Sequence, residues 1–291
     1  IIRGRIPIIH KGALFMAYID CKLKSQILGT TVGVKLYFPT DLPADVGYTV
    51  KGVLTLLHGY TNSGDDWMQM TAAPRYAADN GLVLVMPDCG NSFYQNMMHG
   101  GAYKTFVTEE LPMLLGRMFK LPARREQNFI AGLSMGGYGA LFLGLSRPDL
   151  YAGCASFSGA VDLSMMLADP AAPGVREVFG PVFGDGLLLP KSSDLRVLAK
   201  RVAALPAAQQ PKVLLTNGLQ DVEPYFILQQ NDAMHKFLKP LGLAGYRRLQ
   251  WNGVHEWNFW DRSLVYAIDY FLNNGYAAKK LNDWRSAAVV S

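Results

Sequence analysis

The residues most able to do chemistry in this chain lie in the pentapeptide Gly132-Leu133-Ser134-Met135-Gly136. An apolar run typical of a buried strand precedes it, and a run typical of a helix follows it. A serine on a sharp turn between a strand and a helix is lifted out of the backbone and can attack an electrophilic carbon. Glycines at both ends of the turn let the strand and the helix approach closely, so Ser134 is the candidate nucleophile.

A serine hydroxyl needs a base and an acid that orients the base, and in this kind of fold both follow the serine along the chain. The apolar run 212–216 ends shortly before Asp221, and the strand-like run 246–251 ends shortly before His255. Both side chains therefore fall on loops that follow predicted strands, where the acid and the base are expected. The sequence predicts that His255 removes the Ser134 proton and that Asp221 orients the imidazole.

Few other residues compete for these two roles, because the chain has only five histidines. His10 precedes every predicted core strand, and His235 falls inside a helical pattern. His99 lies on a loop ahead of the serine, where it is either a pocket residue or an ordinary loop histidine. The rival acid is Asp162, which also follows a predicted strand but opens an apolar helical run and therefore fits a helix N-cap.

A further loop could supply the backbone N–H groups that hold an oxyanion. The buried strand 53–57 ends at His58, and the turn after it would bring the Tyr60 N–H beside the nucleophile turn. The second donor is expected to be the N–H of Met135, the residue after the nucleophile. His58 precedes the turn, so we interpret it as a structural residue that braces the loop.

These motifs resemble the Putative esterase (esterase D-like) family of α/β-hydrolases, and within it the tributyrin and the cinnamoyl or feruloyl esterases. The resemblance is carried by residues 58–60 (HGY), 132–141 (GLSMGGYGAL) and 255–260 (HEWNFW), and it extends over about residues 53–271. It implies hydrolysis of short-chain or aromatic acyl esters through an acyl-enzyme, without a cofactor. S-formylglutathione hydrolases and mycolyl-transferases share the nucleophile turn, so a thioesterase and an acyltransferase are the alternatives.

The resemblance implies an α/β-hydrolase fold, and the alternation of predicted strands and helices agrees with it. Such alternation favours a mostly parallel central sheet with helices on both faces. Strands near 13–21 and 31–38 are expected to form an antiparallel entry, and a helix is expected at 105–119. We expect one domain over 1–291, with an excursion at about 161–206 that forms a lid or one wall of the acyl pocket. The expected core strands are 53–57, 82–86, 128–133, 153–157, 212–216 and 247–251.

Composition and charge disfavour several other classes of protein. Half of the 291 residues are hydrophobic, and the formal net charge of +5 is dispersed in basic pairs rather than in a stripe with aromatic residues. The sequence therefore predicts no nucleic-acid partner. No apolar run approaches the ~20 residues that span a bilayer. Without a C-x-x-C, an H-E-x-x-H or a phosphate loop, neither a metal nor a nucleotide cofactor is expected.

The three cysteines suggest no disulfide framework, so a reducing, cytoplasmic location is the expectation. The first residues lack both an initiator Met and the order of a signal peptide, which suggests that a segment was removed or trimmed. The expected partner is a small-molecule ester, and a homo-oligomer is left open.

Large side chains on loops that follow core strands are the candidates for contact with substrate. If they crowd the nucleophile, the acyl pocket is short, and acetyl to butyryl or arylacyl esters should react better than esters of about twelve carbons or more. The candidate substrate-binding residues are Trp67, Phe93, Tyr94, Met97, Met98, His99 and Phe183.

Overall fold

In the described part of the chain, nine strands form one sheet at the centre of the molecule. The computed structural model describes residues 16–39, 50–281 and 288–290 of the chain, so His10 lies outside the described residues. The strands are β1 Met16–Ser25, β2 Thr30–Pro39, β3 Gly52–Leu57, β4 Leu82–Pro87, β5 Asn128–Leu133, β6 Gly153–Phe157, β7 Lys212–Gly218, β8 Tyr246–Trp251 and β9 Ala288–Val290.

The strands lie side by side in the order β1-β2-β4-β3-β5-β6-β7-β8-β9. Those from β3 to β8 are mutually parallel, while β1 and β2 at one edge and β9 at the other pair in antiparallel fashion. The prediction of an α/β-hydrolase fold with a mostly parallel sheet and antiparallel N-terminal strands is confirmed. Every residue of β3 and β4 is buried, as continuous apolar strands covered on both faces must be.

Helices cover both faces of the sheet and create two apolar cores. One core packs the helices at Leu111–Phe119, Met135–Ser146, Leu195–Ala203 and Ile227–Leu238 against the sheet. The other core packs the helices at Ala73–Asn80, Trp257–Leu272 and Tyr276–Lys280 against the opposite face. No helix in the described ranges is both long enough and apolar enough to span a bilayer. The helices are α1 Asp66–Met70, α2 Ala73–Asn80, α3 Tyr103–Thr105, α4 Leu111–Phe119, α5 Met135–Ser146, α6 Leu163–Met166, α7 Val175–Phe183, α8 Leu195–Ala203, α9 Ile227–Leu238, α10 Trp257–Leu272 and α11 Tyr276–Lys280.

The helix expected at 105–119 is present but is not a regular α-helix. A π-helical turn at Phe106–Glu110 connects α3 to α4, and within it the Leu111 N–H donates to the carbonyl of Phe106, five residues back. Pro112 follows in the first turn of α4. Proline has no N–H to donate four residues back, so the wider turn falls where the regular hydrogen-bond pattern is interrupted.

The turn between β5 and α5 depends on glycine at two positions. A Cβ added at Gly136 would lie 2.4 Å from the Leu57 carbonyl oxygen and 2.6 Å from that of His58. A Cβ added at Gly132 would lie 2.2 Å from the carbonyl oxygen of Gly136. These neighbours are backbone atoms, which cannot move aside as a flexible side chain can.

We therefore expect Gly136→Ala to lower the free energy of unfolding by about 2–4 kcal/mol, because backbone atoms of the core must shift. Gly116→Ala is the matched control, since Gly116 lies inside α4 and nothing lies within 4 Å of its added Cβ. The control should raise stability by up to about 1 kcal/mol through helix propensity. Denaturant unfolding of both variants measures the difference, and equal stabilities would contradict the steric argument.

Candidate active site

Ser134 occupies the junction of β5 and α5 in a strained backbone conformation, with φ 53° and ψ −117°. Its N–H donates to the Phe157 carbonyl at 2.9 Å, and its own carbonyl accepts from the Gly137 N–H at 2.9 Å. Residues with a side chain rarely adopt positive φ, and such strain persists only where the surrounding structure holds it. The hydrogen bonds on both sides of Ser134 therefore hold its backbone in this conformation.

The loops that follow β7 and β8 bring an acid and a base to this serine. The His255 Nε2 lies 2.9 Å from the Ser134 Oγ, and the His255 Nδ1 lies 3.0 Å from the Asp221 Oδ2. An ionised carboxylate can only accept a hydrogen bond, so Nδ1 carries a proton that it donates to Asp221. In the neutral imidazole, Nε2 is then the acceptor for the Ser134 hydroxyl.

The rival acid, Asp162, lies elsewhere and has a different role. It is the N-cap residue of α6, as the sequence predicted, although its side chain makes no capping hydrogen bond. Its two carboxylate oxygens instead accept from Arg196 at 3.0 and 2.5 Å, and Ser164 donates to one of them. Burial raises the pKa of Asp162, but the hydrogen bonds and the positive charge of Arg196 outweigh burial and hold the pKa below its usual value.

The other described histidines do not contact Ser134. His58 is fully buried; its Nδ1 donates to the Gly59 carbonyl at 2.8 Å, and its Nε2 accepts from the Cys89 N–H at 2.9 Å. Burial lowers the pKa of His58, so this imidazole stays neutral and braces the loop. His235 on α9 pairs with the Tyr246 hydroxyl at 2.8 Å.

Two backbone amides near Ser134 have no acceptor among the described residues, those of Tyr60 and Met135. Two hydrogen bonds hold the Tyr60 turn, and in the first the Tyr94 hydroxyl donates to the His58 carbonyl at 2.7 Å. In the second, the Asn91 side chain accepts from the Thr61 N–H at 2.8 Å. Unpaired N–H groups held this way can receive negative charge without rearrangement.

A cavity of about 760 Å³ opens onto Ser134 and His255. One wall comes from residues 165–179 of the predicted excursion, and the facing wall comes from residues 224–227 after Asp221. Its described lining contains one carboxylate, Asp169, and no Lys or Arg. The apolar side chains of this lining include Phe93, Leu133, Met165, Met166, Val175, Val178, Phe179, Tyr225, Phe226, Ile227 and Trp260.

Of the seven expected substrate-binding residues, Phe93 lines this cavity, and the other six lie outside its described lining. Trp67 is fully buried, donates to the Leu57 carbonyl at 3.2 Å and packs edge-on against Phe157. Tyr94 is likewise buried and braces the Tyr60 turn.

The loop that carries Met97, Met98 and His99 lies against the C-terminal end of α7, where Phe183 is the last residue. The Met98 and His99 N–H groups donate to the Val182 and Pro181 carbonyls, so this loop packs on the helix rather than facing the nucleophile. Met97 packs against the main core from the same loop, and Phe183 stacks on Phe179.

Sequence reasoning missed the aromatic residues that touch the candidate base. The Tyr225 ring centroid lies 5.4 Å from that of His255, and the Trp260 ring stands edge-on to the same imidazole at 5.0 Å. Phe179 contacts Phe93 at 4.8 Å and completes the wall. A signal was present, because Tyr225 closely follows the candidate acid on the same loop and Trp260 lies one turn into the helix after the candidate base.

The fold and this constellation of residues define an enzyme of the ester-hydrolase class. The chain belongs to the Putative esterase family, whose model matches residues 25–271. It is 28% identical over 267 residues to an acetyl esterase of Caldicellulosiruptor saccharolyticus, covering 88% of this chain and 98% of that protein. It is 26% identical over 259 residues to an S-formylglutathione hydrolase of Paracoccus denitrificans, covering 81% and 86%.

Among solved structures, the chain is similar to FphF, a fluorophosphonate-binding serine hydrolase of Staphylococcus aureus. The TM-score is 0.77 at 27% identity, and the match covers 89% of this chain and 99% of that one.

Proposed function

We propose that this protein is a serine carboxylesterase that works through an acyl-enzyme, with Ser134 as nucleophile, His255 as base and Asp221 as the orienting acid. The observation that carries the proposal is the continuous chain of hydrogen bonds from the Ser134 Oγ through both imidazole nitrogens to the Asp221 carboxylate. The similarity to a fluorophosphonate-binding serine hydrolase supports a nucleophilic serine.

In the first half-reaction the Ser134 proton passes to the His255 Nε2 as the Oγ attacks the carbonyl carbon of the ester. The carbonyl oxygen becomes an oxyanion, which receives hydrogen bonds from the Tyr60 and Met135 N–H groups. When the tetrahedral intermediate collapses, His255 returns the proton to the departing alcohol, and the acyl group stays on Ser134. Asp221 keeps the imidazole in the required tautomer and stabilises its positive charge.

The second half-reaction repeats the same steps with water. His255 removes a proton from the water as its oxygen attacks the acyl carbon, and the oxyanion forms at the same two amides. His255 then protonates the Ser134 Oγ, and the carboxylic acid leaves.

The cavity favours neutral esters over the thioester of a charged peptide. Glutathione carries carboxylates, and the described lining offers no Lys or Arg to pair with them while it presents the carboxylate of Asp169. Short and aromatic acyl groups both fit a cavity of about 760 Å³. The similarity to an acetyl esterase also supports a short acyl group. We further propose that residues 161–206 act as a pocket wall.

Ser134→Ala should fold normally and lose roughly 10⁴–10⁶-fold in kcat, because the attacking atom is removed while the binding surface is kept. Turnover of p-nitrophenyl acetate measures the loss. A fluorophosphonate should label one serine of the intact wild-type protein and none of the variant. More than a tenth of the original activity in the variant would rule out this nucleophile.

Asp221 and Asp162, which are both buried, should respond differently to replacement by an amide. Asp221→Asn should cost on the order of 10⁴-fold in kcat with little change in stability, because the amide favours the wrong imidazole tautomer. Asp162→Asn should keep kcat but lower the free energy of unfolding by about 1–3 kcal/mol, because the Arg196 pair is lost.

The stability difference caused by Asp162→Asn should depend on pH. Because the pKa of Asp162 is lower in the folded protein than in the unfolded chain, its contribution is full above the unfolded pKa of about 4 and is lost as the pH falls through the folded value. Denaturant unfolding of wild type and variant from pH 7 downwards tests this. A large loss of kcat in Asp162→Asn together with an unchanged kcat in Asp221→Asn would overturn the assignment of the acid.

A substrate panel tests the preference for neutral esters. We expect p-nitrophenyl acetate, p-nitrophenyl butyrate and methyl ferulate to be hydrolysed with kcat/KM at least about 100-fold above that of S-formylglutathione, since glutathione would bring unpaired carboxylates to the cavity. Of the side chains expected to crowd the nucleophile and exclude long acyl chains, Phe93 alone is in the described lining of the cavity, so no preference against long acyl chains is proposed. Faster hydrolysis of S-formylglutathione would favour the thioesterase. Methyl esters formed as the main product in added methanol would favour an acyltransferase.

A further inference from the structure

The side of the cavity that takes the alcohol half of the ester follows from the proposed function, on which this inference rests. The alcohol oxygen must receive its proton from the His255 Nε2, while the carbonyl oxygen points at the Tyr60 and Met135 amides. The surface that borders the imidazole therefore meets the leaving group. On that surface the Tyr225 ring lies against the imidazole, at 5.4 Å between centroids.

Tyr225 is exposed where an aromatic side chain would ordinarily be covered. Its relative exposure is 51%, and that of the adjacent Phe226 is 47%, and both side chains line the cavity. The Tyr225 hydroxyl makes no hydrogen bond with any described residue. Two neighbouring aromatic rings thus present uncovered apolar surface beside the atom that protonates the leaving group.

The backbone holds this pair of rings in place. The Tyr225 carbonyl accepts from the Gln230 Nε2 at 2.8 Å, and Gln230 is almost fully buried. The Leu228 N–H donates to the Asp221 carbonyl at 2.7 Å, which closes the loop that carries the acid. Phe226 has a φ of 52°, a strained value for a residue with a bulky side chain. These hydrogen bonds therefore hold the loop that carries the two rings in place.

We propose that Tyr225, together with Phe226, forms a subsite for the leaving group that accepts aryl or other extended apolar alcohols. An aromatic alcohol placed there stacks on the free face of the Tyr225 ring while its oxygen meets the His255 Nε2. A small alcohol such as methanol gains no such contact. The substrate class is accordingly an ester whose alcohol half, and not only its acyl half, is apolar.

The alternative is that Tyr225 only keeps the imidazole in position. Trp260 already contacts the same imidazole edge-on, and Asp221 fixes its tautomer, so loss of the Tyr225 ring leaves two restraints on His255. A positioning role would lower kcat for every ester by the same factor. A subsite role would act on KM, and only for esters with a large apolar alcohol.

The test compares 2-naphthyl acetate with methyl acetate, which share an acyl group and differ in the alcohol. Tyr225→Ala should lower kcat/KM for 2-naphthyl acetate by about 10-fold, mainly through KM, and for methyl acetate by less than about 2-fold. Tyr225→Phe keeps the ring and should stay within about 2-fold of wild type for both esters. Leu188→Ala, which removes an exposed apolar side chain outside the cavity, is the surface control and should change neither.

Equal losses for the two acetates in Tyr225→Ala, or no loss for the naphthyl ester, would overturn the subsite. This result is separate from failure of the proposed function, which would show as retained esterase activity in Ser134→Ala. If Ser134 proves essential and Tyr225→Ala affects both esters alike, the enzyme mechanism stands and the subsite does not.

Discussion

The arrangement of this site depends on one close approach of backbones, between Gly136 at the start of α5 and the carbonyl groups of Leu57 and His58 at the end of β3. No side chain fits there, because a Cβ would come within 2.4 Å of a carbonyl oxygen. The contact places the turn that carries Ser134 directly beside the turn that carries Tyr60. The close approach of the turn that carries Ser134 to the turn that carries Tyr60 therefore requires a residue without a side chain at position 136.

The Tyr60 turn is held by buried side chains that lie outside the described lining of the cavity. The neutral imidazole of His58 ties the end of β3 to the segment after β4 through its bonds to Gly59 and Cys89. The hydroxyl of Tyr94 holds the carbonyl of His58 itself. In the proposed mechanism, water would otherwise have to reorganise around a developing oxyanion, whereas amides fixed by such braces need no rearrangement. The loops are thus built as rigid parts, although loops are usually the mobile parts of a fold.

The strands and the candidate acid and base could be predicted from sequence because parallel strands all end at one edge of the sheet. Asp221 and His255 follow the strands β7 and β8 closely, so their positions along the chain were enough to bring them to Ser134. The short edge strand β9 has too few residues for a periodic pattern and was not predicted.

The walls of the cavity could not be predicted in the same way, because the direction of a side chain on a loop depends on backbone angles. Phe93 and Tyr94 are adjacent and both have positive φ, yet one faces the cavity and the other is buried beneath the Tyr60 turn. The residue types and the order of the chain contain no sign of this choice. Tyr225 escaped notice for a related reason, since only the closed turn after Asp221 brings its ring back over His255.

The two walls of the cavity are not independent, because one buried side chain holds both. The Gln230 amide donates to the Tyr225 carbonyl at 2.8 Å through its nitrogen, and its oxygen accepts from the Asp162 N–H at 2.9 Å. Asp162 opens the segment that forms the other wall and pairs with Arg196 on α8. A displacement of either wall must therefore break a buried hydrogen bond or shift the loop that carries Asp221. The shape of the cavity and the position of the loop that carries Asp221 and Tyr225 are consequently coupled through Gln230.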